Sequence, residues 1–109
     1  MGKPVVGDVV VLPFPQSDLR AGKRRPALVV ADLPGDDVVL CQITIQLRPD
    51  ATSVFLTKTD FASGQLTVDS CVRAGRLFTV DQSVVIYVAA TISAAKLDEV
   101  KSKLRQLFS

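Results

Sequence analysis

The chain has 109 residues, 48% of them hydrophobic, with a formal net charge of +2 and a mean hydropathy of +0.32. This is one domain's length, too apolar for a disordered chain, and no apolar run approaches the roughly 20 residues of a membrane helix. With no histidine and two cysteines, imidazole acid–base chemistry is excluded and a structural zinc site has no ligand set.

Taken in chain order, the amino terminus carries Lys3 but no signal-like apolar region, so the expected setting is cytoplasmic. Val5 to Phe14 is a valine-rich strand run, interrupted at Gly7-Asp8 and ended by Pro13 and Pro15. A polar loop from Gln16 to Arg24 follows, and Arg20, Lys23, Arg24 and Arg25 fall within six positions. Pro26 pushes Arg25 into extended backbone. A basic loop therefore feeds straight into the strand Ala27–Ala31, with Arg25 at its mouth.

Leu33-Pro34-Gly35-Asp36-Asp37 reads as a hairpin turn. From Val38 to Gln46 the odd positions Val39, Cys41, Ile43 and Ile45 are apolar, while the even positions end in Gln42, Thr44 and Gln46. A strand puts these sets on opposite faces. Arg48-Pro49-Asp50 predicts a second turn. Ser53–Thr57 and Gln65–Val72 read as short strands around a Ser63-Gly64 turn, Leu77–Val80 as a further segment, and Ser83–Ala90 as a strongly apolar strand. The tail predicts a helix, N-capped by Ser93, with Leu97, Val100, Leu104 and Leu107 as its apolar stripe. Packing of that stripe on the strands is the favoured expectation, with a part in a dimer contact as the alternative. Cys41 and Cys71 sit in apolar stretches and read as buried thiols. The sum is a mainly β fold with a C-terminal α-helix, a small and strongly bent β-barrel, in one domain covering 1–109.

The basic loop and the polar end of the 38–46 strand together form the candidate site. Arg25 and Thr44 lie at equal distances from the Pro34-Gly35 turn, and an antiparallel hairpin brings such residues opposite each other. A guanidinium facing a hydroxyl and the amides of Gln42 and Gln46 suits a phosphodiester, because arginine grips phosphate oxygens in pairs. Separately, Arg-Arg-Pro is ordinary loop chemistry and a strand threonine is ordinary β-propensity. Their predicted adjacency distinguishes them.

These residues resemble the MazF/PemK-like toxins of type II toxin–antitoxin systems. The resemblance runs through Gly7-Asp8-Val9-Val10, Pro13-Phe14-Pro15 and Asp18. It is strongest at Lys23-Arg24-Arg25-Pro26-Ala27-Leu28-Val29, resumes at Gln42-Ile43-Thr44-Ile45-Gln46, and fades through Asp69-Ser70 and Thr79-Val80-Asp81. It implies an SH3-like β-barrel working as a homodimer. It also implies an endoribonuclease that cuts single-stranded mRNA selectively by sequence, with no metal or other cofactor. The 2′-hydroxyl would attack the neighbouring phosphate, leaving a cyclic phosphate and a 5′-hydroxyl. Arg25 and Thr44 would be the catalytic pair, Arg25 stabilising the phosphorane charge and sharing in protonation of the leaving oxygen, Thr44 orienting the phosphate or the attacking group. Arginine's high pKa favours the electrostatic role. Phe14, Asp18, Arg20, Lys23, Arg24, Gln42, Gln46 and Arg76 would contact RNA. A cognate antitoxin would neutralise the protein, any DNA contact would arise only through that complex, and no membrane is involved. Two departures stand out: Ile45, where many relatives carry a small residue, and Gly75-Arg76-Leu77-Phe78-Thr79, which lacks the Gln-Ile-Arg-Thr common before Val-Asp. The alternative readings are a non-catalytic small-barrel module binding RNA or protein, and, by fold analogy alone, a topoisomerase-directed toxin.

Overall fold

The computed structural model describes residues 2–13, 24–46 and 51–109. It contains seven strands and a helix: β1 (Asp8–Pro13), β2 (Arg24–Asp32), β3 (Asp37–Thr44), β4 (Ser53–Leu56), β5 (Phe61–Gly64), β6 (Ser70–Asp81), β7 (Tyr87–Ile92) and α1 (Ala94–Leu107). The strands form one antiparallel sheet in the order β4-β6-β3-β2-β1-β7-β5. Only Thr57 to Asp60 separate β4 from β5, yet these are the two edges. A flat sheet of this many strands would hold its edges about 29 Å apart. The short link spans at most about 17 Å, so the sheet must curl. Val54 and Leu56 of β4 accordingly share one buried cluster with Ile92 of β7, and Phe61 of β5 packs against it.

That cluster fills the inside of the curl, with Val9, Leu28, Cys41, Ile43 and Val72, and α1 closes it through Val100, Leu97 and Leu104. Ser93 caps the helix, its side chain accepting from the Lys96 N–H at 3.2 Å. The predicted stripe packs on the sheet except at Leu107, which is exposed. The opposite face of the central strands holds a second cluster, Val10, Leu12, Ala27, Val29, Val38 and Leu40. Central strands that bury both faces explain why β1 and β2 are valine-rich runs without alternation.

The Gly7-Asp8 pair is a structural joint. Gly7, at φ +102°, donates to the Val29 carbonyl and accepts from the Ile92 N–H. The Asp8 carboxylate accepts from the Val5 N–H and from the Thr91 hydroxyl. The Pro34-Gly35 hairpin forms as predicted, with Gly35 at φ +75°.

Four expectations need correction. β2 begins at Arg24, so Arg25 and Pro26 lie within the strand, paired with Leu12 and Val11. Ser63-Gly64 is no turn: both residues belong to β5 and pair with Thr91 and Ala90. Leu77–Val80 is the distal part of the 12-residue β6, which also takes in Ser70–Val72, while 65–69 lie outside any strand. The apolar run from Ser83 starts in a single 3-10 turn at Gln82–Val84, capped by Asp81, and becomes strand only at Tyr87. The predicted Arg48-Pro49-Asp50 turn lies outside the described residues, as do Phe14, Asp18, Arg20 and Lys23.

Candidate functional site

Strand pairing lays the polar residues out as a grid on the sheet face opposite the helix-covered core. One row of paired neighbours runs Ser53, Arg73, Gln42, Ala27, Val10 across β4, β6, β3, β2 and β1. Two residues along, the next row runs Phe55, Cys71, Thr44. The β2–β3 pairing is Leu28↔Cys41, then Ala27↔Gln42. The same register continued by two residues brings Arg25 across from Thr44, with backbones about 5 Å apart. Arg25 pairs with Leu12 on its other side. Directly paired residues share a face, so Arg25, Thr44, Gln42, Arg73, Ser53 and Phe55 look out together.

Thr44 ends β3, and its Oγ accepts from the Gln46 N–H at 3.1 Å. That contact uses an acceptor position of the hydroxyl and leaves its proton free to donate. Gln46 thereby takes part through its backbone. Ile45 follows Thr44 at 66% exposure, beyond the strand and away from the core.

Three buried polar atoms lack a hydrogen-bond partner among the described residues: Arg25 Nε, Arg73 Nε and Ser53 Oγ. All three belong to this one face. Native proteins seldom leave such groups unpaired, so a cluster of them marks where a ligand's acceptors fit. The salt bridges of the described residues are Lys3–Asp32, Lys96–Asp60 and Lys96–Glu99. None involves an arginine of the site, so among the described residues its positive charge has no carboxylate partner. Among the described residues no group of three or more Cys, Asp or Glu could hold a metal ion.

Not every expected residue joins the grid. Arg24 is exposed, and strand alternation aims it to the other side of β2 from Arg25. Arg76 is exposed in the bulge Ala74–Arg76, where the β6 register jumps between Arg73 and Leu77. It lies beside the Gln42–Cys41 step of β3. Arg73 was absent from the sequence expectation. The signal for it is the alternation of Arg73 with buried Val72 and Ala74, but its place opposite Gln42 needs the bulge to be known.

The model of PemK-like, MazF-like toxins of type II toxin-antitoxin systems matches residues 6–108. The chain belongs to that family. MazF from Deinococcus radiodurans is similar at 27% identity, with a TM-score of 0.77, over 99% of this chain and 98% of that one. A MazE-MazF complex from the same organism is similar at 26% identity, with a TM-score of 0.78, over 98% and 97%. An endoribonuclease from a mycobacterial species, solved with its cognate antitoxin, shares the fold at 22% identity, with a TM-score of 0.76, over 96% and 94%. No curated protein matches the sequence. The fold is MazF-like, a mainly β half-barrel with a C-terminal helix.

Proposed function

We propose that the protein is a metal-independent endoribonuclease that cuts single-stranded mRNA selectively by sequence and is neutralised by a cognate antitoxin. One observation carries the reading: Arg25, with an unpartnered Nε, and Thr44, with a free hydroxyl proton, share one face of adjacent strands. Family membership supports it, as does a similar protein named as an endoribonuclease.

In the proposed reaction the 2′-oxygen attacks the adjacent phosphorus and loses its proton. The bond from phosphorus to the 5′-oxygen breaks, and that oxygen takes up a proton. The products are a 2′,3′-cyclic phosphate and a 5′-hydroxyl. Charge grows on the non-bridging oxygens, and a fixed guanidinium beside them stabilises the phosphorane more than the ground state. Thr44 donates to the phosphate and holds it in line with the 2′-oxygen. Gln42 and Arg76, with Gln46 two residues beyond β3, would read flanking bases. Phe14, Asp18, Arg20 and Lys23 extend the RNA contact as an expectation from sequence.

A second copy completes the assembly. On the second face of the sheet, Val6, Phe78, Val80 and Val85 only partly cover the buried cluster, and neighbouring Val84, Ile86 and Val88 are exposed. Contiguous apolar surface of this kind is what an obligate dimer buries. The antitoxin would present carboxylates to the arginine face, competing with RNA for the same charge.

The test is incubation of purified protein with a long RNA in EDTA, followed by mapping of cut positions and 5′ ends. Recurrent cuts at one sequence with 5′-hydroxyl ends are expected. Intact RNA, or cleavage only with added magnesium, overturns the reading.

A further inference from the structure

We propose that Arg73 and Ser53 form a second phosphate-binding position on the same face, which holds the RNA phosphate next to the one held by Arg25 and Thr44. The proposal rests on the RNA-cleaving reading only for the identity of that first phosphate.

Ser53 of β4 pairs directly with Arg73 of β6, and Arg73 pairs with Gln42 of β3. Two of the three orphaned buried polar atoms are therefore direct neighbours, Arg73 Nε and Ser53 Oγ. The third, Arg25 Nε, lies two strands over and two residues along. Strand spacing and rise put the two arginine Cα atoms about 12 Å apart. Both side chains rise from one face, and each is long enough to lean towards the other, so their guanidinium groups can lie closer than their backbones.

The geometry of β6 makes this position deliberate in form. Arg73 is flanked by Val72 and Ala74, both fully buried on the other side. Immediately after it, the bulge at Ala74–Arg76 breaks the ladder with β3, and the Ala74 N–H instead donates to the Thr52 carbonyl at 2.9 Å. That bond ties β6 to the residue before Ser53 and fixes the two side chains relative to each other. An arginine so placed pays its desolvation without a carboxylate, since no salt bridge among the described residues reaches it. A phosphate supplies two acceptor oxygens for a guanidinium fork and a third for a serine hydroxyl. Phe55, two residues from Ser53 on the same strand and 45% exposed, stands beside the pair where a base could stack. A lone carboxylate would leave that aromatic unused, which favours a nucleotide as the occupant.

The test measures binding separately from cleavage. The probe is a random-sequence 2′-O-methyl RNA oligonucleotide, which lacks the attacking hydroxyl, followed by fluorescence anisotropy across a salt series. Each phosphate contact on a single strand contributes about 0.7 to the slope of log K against log salt. Arg73→Gln should lower that slope by about this amount and weaken binding about tenfold or more at low salt. Arg73→Lys should keep the slope and lose affinity severalfold, since it keeps charge without the fork. Ser53→Ala should weaken binding without changing the slope. An unchanged slope and affinity in folded Arg73→Gln overturns the proposal. Should that variant fail to fold, wild-type affinity in Arg73→Lys overturns it instead. Weakened binding of poly-glutamate with RNA binding unchanged also overturns it, in favour of a partner's carboxylate. A lowered slope in a protein that cuts no RNA would uphold this position and refute the endoribonuclease reading, so the two fail separately.

Discussion

In the proposed reaction Arg25 and Thr44 would do different work on one phosphate, so their substitutions should differ in kind. Arg25→Ala removes the charge that stabilises the phosphorane, and cleavage should fall about 100-fold or more. Thr44→Ala should also fall sharply, while Thr44→Ser, which keeps the hydroxyl, should retain most activity. Gel-based cleavage rates, with circular dichroism to show retained fold, decide this. Wild-type rates in folded Arg25→Ala would remove the site. A second residue-scale outcome concerns Cys41, a free thiol that burial pushes up to about 12 from its ordinary 9.0. The folded state thus disfavours the thiolate. This contribution to stability is fully present below about pH 9 and is lost as pH rises towards 12. Urea midpoints should decline across that window, and less steeply in Cys41→Ala. The adjacency of Arg25 and Thr44 was legible by counting outward from the strong Pro34-Gly35 turn, although the ladder beside the turn pairs Asp32 with Val38 and reaches the counted register only through a bulge between Val29 and Ala31. Arg73 was not legible. Its neighbour on β3 is set by the bulge at Ala74–Arg76, and Gly75, the local signal of that bulge, does not say which β3 residue stands opposite Arg73.

Elements misread from sequence share a cause. Ser63-Gly64 has turn composition, yet Gly64 is in β5 because the strand lies against β7 more closely than a side chain allows. At φ +64°, a Cβ there would come within 2.6 Å of the Ala89 carbonyl oxygen. The glycine marks a close approach, and composition alone cannot separate that from a turn. Gly64→Ala should therefore destabilise by about 1–3 kcal/mol or more, read as a lowered denaturation midpoint; an unchanged midpoint would show that β5 does not hold this geometry. The helix was legible because its cap and stripe are local signals, and Ser93→Ala should cost about 1 kcal/mol. β6 was only half legible: its 12 residues bury their first part and expose much of the rest, so no single period runs along it.

At the scale of the whole molecule, the order of strands was beyond the sequence, since the pairing of β1 with β7 joins residues some 80 apart. What the sequence did carry was the class: many short strands, one late helix, and a basic hairpin mouth. The assembled particle should scatter light as a dimer, twice the 11.7 kDa chain. A monomer at micromolar concentration would dismiss the proposed partner surface. Replacing Arg25 and Arg73 together with Glu should weaken RNA and antitoxin alike and flatten the salt dependence of RNA binding. Unchanged affinity for both would show that the arginine face is not shared.

The four-residue link from β4 to β5 also limits how a partner can attach. Those edge strands are four residues each, and the curl turns them towards one another beneath a short 3-10 turn at Lys58–Asp60. A protein with a long open edge invites an extended peptide to join its ladder, and many recognition events work that way. Here each outer edge strand offers only four residues to such a peptide. A chain bound on the arginine face would instead lie across the strands and be held by side chains rather than by main-chain pairing. Affinity would then reside in a few arginines and apolar anchors, and single substitutions on the partner should change it by large steps.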